Sequence, residues 1–126
     1  MNDSDYRQYC LDLLGQFSEQ MARETKQASP DDPLRELAEQ FAEIASGKDL
    51  YETGPAIVNR LFASCPQLAP SLPREILWFL GGDCLHFMPD EEIAQFQQLD
   101  EEREQAAAQG NVYDLAEARA KLLNLQ

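Results

Sequence analysis

Hydrophobic side chains recur along this chain at helical rather than strand spacing. Tyr6, Cys10, Leu13, Leu14, Phe17 and Met21 follow one another at steps of 4, 3, 1, 3 and 4, which lines one face of a helix. Asp3 or Ser4 can accept free amide hydrogens at its start, and Asp5 suits the positive end of the helix dipole. Arg23 and Lys26 suit the other end. The pattern predicts a long amphipathic helix over 3–27. Gly15 inside it costs roughly 1 kcal/mol against alanine and reads as a point of close approach for a neighbouring helix.

Residues 28–33 form a turn in which Ser29, Asp31 or Asp32 caps and Pro33 opens a second helix. Leu34, Leu37, Ala38, Phe41, Ile44 and Ala45 mark its inner face, and Ser46–Gly47 its stop. Residues 48–54 read as a connector. Pro55 reads as the opening of a shorter helix to Ser64, with Ile57, Val58, Leu61 and Phe62 inward. After the break at 65–70, Ser71, Pro73 and Glu75 signal another start. Ile76 to Leu80 then has no polar face, so a central helix over 71–88 is expected, surrounded on all sides and burying Trp78, Phe79 and Leu80. A buried strand is the other reading of such a run. Nearby Pro73 and the lack of any partner strand argue against it.

Pro89 ends that element, and Asp90, Glu91 and Glu92 fill the first turn of the next, which runs to about Gln109. There only Ile93, Phe96 and Leu99 are expected to pack deeply. Gly110–Asn111 turns the chain into a last helix over 112–125, with Leu115, Ala118, Leu122 and Leu125 inward. The expected fold is all-α: about six helices in a bundle or irregular array, forming a single domain over 1–126.

Composition fits this picture. The 126 residues are 44% hydrophobic and 26% charged, as suits one soluble domain of ordinary size. The longest apolar stretch, 76–88, is interrupted by Gly81, Gly82, Asp83 and His86, short of the roughly 18 residues a membrane span needs. The first residues are acidic where a secretory signal is basic. A cytoplasmic protein without a membrane partner is expected.

Charge narrows the partners. The formal charge is −13, and a body this negative is repelled by nucleic acid, whose phosphates are bound by clustered Lys and Arg. No direct nucleic-acid binding is expected, whereas a basic protein partner is favoured. Acidity of this kind, common in bacterial cytosolic proteins, also serves solubility. Residues 1–50 and 90–126 each carry a net −6, and residues 51–89 only −1. That distribution suggests a buried, near-neutral middle between solvated helices.

Reactive groups are sparse. Cys10, Cys65 and Cys84 form no C-x-x-C pair and read as reduced, small core residues. Cys84 and His86 lack structural-zinc spacing and, two apart on a helix, point away from each other. The triplets Asp90–Glu92 and Asp100–Glu102 splay around a helix axis and do not converge. Gly81–Gly82–Asp83 lacks both phosphate-loop frames and reads as a packing or kinking glycine pair, with Asp83 and His86 hydrogen-bonded at a helix end. The Ala106–Ala118 stretch has the small residues and glycine turn of a tetratricopeptide helix pair. It does not recur at about 34 residues, so an ordinary helical hairpin explains it. No residue is assigned a catalytic, cofactor-binding or metal-ligating role, and no cofactor is implied.

The resulting expectation is a non-enzymatic protein-interaction protein: a small acidic adaptor, regulatory subunit or antagonist. Its contact surfaces would be the first helix and the hairpin 90–125, used for a partner protein or a homodimer. The alternative is an acidic decoy filling the nucleic-acid site of a basic protein. A small enzyme or ligand binder would require an enclosed pocket with converging polar groups.

Overall fold

The computed structural model describes residues 2–124 and contains six α-helices, two 3-10 segments and, among the described residues, no strand. The fold is all-α. The helices are α1 (Asp3–Glu24), α2 (Pro33–Ala45), α3 (Leu50–Ser64), α4 (Arg74–Leu80), α5 (Asp90–Ala108) and α6 (Leu115–Asn124). Backbone contacts gather the chain into two compact units: Tyr9–Phe87, and Met1–Gln8 with Met88–Gln126.

In the unit Tyr9–Phe87, the α1 stripe buries Cys10, Leu14, Phe17 and Met21, and Phe17 meets Phe41 edge-on at 5.0 Å. Gly15 makes no close approach, for a Cβ placed there would have nothing within 4 Å. The second helix begins as its sequence signals: Asp32 accepts from the Leu34 amide at 2.9 Å, Pro33 takes the first position, and Gly47 leaves at φ 93°. Arg60 ties α3 to α2 through Gln40 at 2.9 Å and Glu36 at 3.3 Å.

Two expectations about this unit need correction. The connector 48–54 is mostly helical: α3 starts at Leu50, and Pro55 lies inside it. An interior proline costs about 3 kcal/mol, since it lacks the amide and crowds the carbonyl four residues back. Gly54 has no Cβ to meet the proline ring, which removes the separate clash with the preceding residue but not the loss of the amide bond. Gly54 is also buried, with the Leu80 methyls 3.0 Å from where a Cβ would stand, so α4 packs directly on this glycine.

The central helix over 71–88 is three pieces: a 3-10 turn Ala69–Ser71, the seven-residue α4, and a 3-10 helix Gly82–Phe87. Leu72 and Pro73 are extended, with ψ 127° and 134°, so the cap is Pro73 and not Ser71. At the far end Gly82 takes φ 51°, a left-handed value that stops the helix and favours glycine. Two turns of α4 bury a single stripe, Ile76, Leu77 and Leu80, while Trp78 and Phe79 stay half-buried.

In the other unit, α5 ends in a Schellman motif. Gly110 at φ 72° donates to Ala107 at 3.1 Å, and Asn111 donates to Ala106 at 2.8 Å. The last helix starts at Leu115 rather than 112, because the Asp114 carboxylate accepts from the Glu117 amide at 3.0 Å. Val112 is left 97% exposed. Leu115 is buried and Ala118 and Leu122 half-buried, while Leu125 lies outside the described residues. The buried face of α5 runs past Phe96 and Leu99 to Arg103, so more of this helix packs than its polar sequence suggests.

Candidate functional site

The residues with reactive chemistry do not assemble into a centre. Cys10, Cys65 and Cys84 are free thiols, all buried. The Cys84 thiol donates to the Asn59 side-chain oxygen at 3.5 Å. Burial, and then the charge of Asp83, push its pKa above the ordinary thiol value, holding it protonated. His86 faces elsewhere: it is exposed, its Nδ1 hydrogen bonds to the Asp83 backbone carbonyl at 2.5 Å, and its ring leans on Phe87. The glycines beside them break a helix rather than form a loop for phosphate. A Cβ at Gly81 would run into the Leu77 carbonyl, and Gly82 holds the left-handed bend.

Each acid in the 100–102 triplet has its own surroundings. Asp100 lies 4.0 Å from Arg103, Glu102 accepts from the Tyr113 hydroxyl at 3.3 Å, and Glu101 is exposed. Among the described residues no group of three His, Cys, Asp or Glu side chains is placed to hold a metal. The cleft between α2 and α3, about 390 Å³, has its cations engaged: Lys48 with Glu43 at 3.0 Å, Arg60 with Glu36 at 3.3 Å.

Aromatic side chains supply a different kind of site. Tyr51 and Phe62 stand eleven residues apart on α3, three turns and so the same face. Between them Val58 is fully buried, and α4 and the 3-10 helix cover the middle of the helix. Each end of this covered face carries an aromatic pair. Tyr51 meets Phe79 at 5.7 Å and 71°, and Phe62 stacks on Phe87 at 4.6 Å and 15°. Tyr51 is 57% exposed and Phe87 50%.

The Phe62–Phe87 end is concave. Pro66, Ala69, Pro70 and Arg74 complete a groove of about 360 Å³ with these two rings. Its shape follows from local breaks in the chain. Cys65–Pro66 ends α3, Pro70 sits in a 3-10 turn, and the left-handed Gly82 turns the chain so that Phe87 arrives beside Phe62. The proline-punctuated stretch 65–70 was legible as a break in helix, but the groove was not. Phe87 sits in sequence as the end of a central helix, and only the bend at Gly82 puts it in water.

The family model described as PA2817-like matches residues 1–126. The chain belongs to the PA2817-like family. No curated protein matches it, and no solved structure does either. The family description names no activity, so any functional reading rests on the residues above. Among the described residues no helix is long and apolar enough to cross a membrane.

Proposed function

We propose that this protein is a small, acidic, non-enzymatic interaction protein of the cytoplasm, an adaptor, regulatory subunit or antagonist, that takes an apolar segment of a partner protein on the Phe62–Phe87 groove. The observation that carries this reading is the stacked ring pair with Phe87 half in water. Covering a phenylalanine is worth about 1.5–3 kcal/mol, and aromatic side chains in packed pockets dominate interface energies. Of the residues that line the groove only Arg74 is charged, so an apolar segment meets little charge there. The first helix is a poorer surface than its sequence suggested, because Cys10, Leu11, Leu14, Phe17 and Met21 are already buried.

The test is affinity capture with the full chain and with Phe87→Ser, at about 0.1 and 0.5 M salt. The wild type should retain a partner at both salts, and the variant, still helical by circular dichroism, should lose it with at least about a tenfold weaker Kd. Capture of the same partners by both chains at equal strength would overturn the reading.

A further inference from the structure

Among the described residues Arg103 is the one buried charged side chain, 7% exposed on α5. A buried cation is tolerated when a counter-ion and hydrogen bonds replace water. Here that replacement is lopsided. Nη1 donates to the Asp3 carboxylate at 3.1 Å, the guanidinium lies 4.2 Å over the Tyr6 ring, and Asp100 is 4.0 Å from Nη2. Nε has no partner. The closest counter-ion, Asp3, keeps 97% of its side chain in water. Asp3 therefore loses little by letting go, while Arg103 is stranded unless the segment carrying Asp3 and Tyr6 lifts away and water enters.

Within that segment Asn2 and Asp5 bond reciprocally, side chain to backbone, at 2.8 and 3.2 Å, but both bonds are exposed, so once undocked this end of the helix frays readily. An unsatisfied Nε leaves the closed arrangement with one hydrogen bond fewer than the hydrated one. We infer that Arg103, Tyr6 and Asp3 form an ionic latch that fastens the first turns of α1, residues 3–8, onto α5 and that opens as ionic strength rises. The latch is a conformational device separate from the aromatic groove and does not depend on what the groove binds.

Amide hydrogen exchange by NMR on the full chain tests it. Asp3→Asn is the variant of choice, because an exposed side chain can be neutralised without disturbing the fold. The readout is exchange at Tyr6, Arg7 and Gln8 relative to the Val58 amide in the core of the other unit. Raising salt from about 0.1 to 1 M shortens the Debye length to roughly 3 Å. The wild type should then exchange about two- to fivefold faster at these three amides, the ratio expected when the ion pair's closest carboxylate stands in water and is readily screened. Asp3→Asn should exchange at the faster rate at both salts. Salt-independent exchange in the wild type, or a wild-type salt response in Asp3→Asn, would overturn the latch.

Discussion

The Tyr113 hydroxyl donates to Glu102 at 3.3 Å, and burial, followed by the charge of that carboxylate and the bond to it, pushes its pKa up to about 12 from the ordinary 10.0. A phenol whose folded pKa is raised holds its proton better in the folded state. Its stabilisation is complete below about pH 10 and is lost as pH rises through 12. Tyr113→Phe should therefore make urea stability less steeply dependent on alkaline pH over that window, measured against wild type in the same buffers. An unchanged alkaline slope would show that Tyr113 does not set it. The lone tryptophan behaves differently from its place in an all-apolar run. Trp78 is half-buried whereas Phe41 is fully buried, so Phe41→Ala should cost about 3–5 kcal/mol and Trp78→Ala distinctly less. Urea melts followed by circular dichroism compare the two directly, and equal losses would place Trp78 in the core after all.

At the scale of elements, glycines separate what the sequence discloses from what it hides. Helical periodicity and start signals together pointed to six helices, and caps such as Asp32 and stops such as Gly47 and Gly110 fell where propensity puts them. The misses fall where a local signal did not decide the backbone. Pro55 looked like a helix start, but it sits inside a helix that begins at Leu50. Residues 71–88 looked like one helix, kinked at most at its glycine pair, yet Gly82 ends it through a positive φ. Only Ile93, Phe96 and Leu99 were expected to pack deeply on α5, yet Arg103, which follows Phe96 and Leu99 at steps of 3 and 4, continues the buried stripe. The groove depends on these same breaks and was correspondingly invisible. Two substitutions contrast the glycine roles. Gly15→Ala, with nothing within 4 Å, should stabilise by about 0.5–1 kcal/mol through helix propensity. Gly82→Ala, at φ 51°, should destabilise by about 1–2 kcal/mol through left-handed strain. Opposite shifts in Tm check both, and a stabilising Gly82→Ala would remove the bend as a requirement of the fold.

For the whole molecule, charge and apolar surface do different work in binding. The formal −13 is carried mainly by residues 1–50 and 90–126, whereas the exposed aromatics Tyr51 and Phe87 lie in the near-neutral 51–89. Long-range fields govern encounter, and buried aromatic contact governs how long a complex lasts. The same net charge makes two copies of this chain repel at a distance. With the partner in hand, association and dissociation rates should therefore respond to separate perturbations. Raising salt from about 0.1 to 0.5 M should slow association severalfold by screening the acidic flanks, with dissociation nearly constant. Phe87→Ser should do the reverse, speeding dissociation roughly tenfold or more while leaving the salt dependence of association intact. Surface plasmon resonance on wild type and variant separates the two. A variant that lost its salt dependence, or a wild type whose dissociation alone followed salt, would show that the acidic flanks and not the rings form the contact.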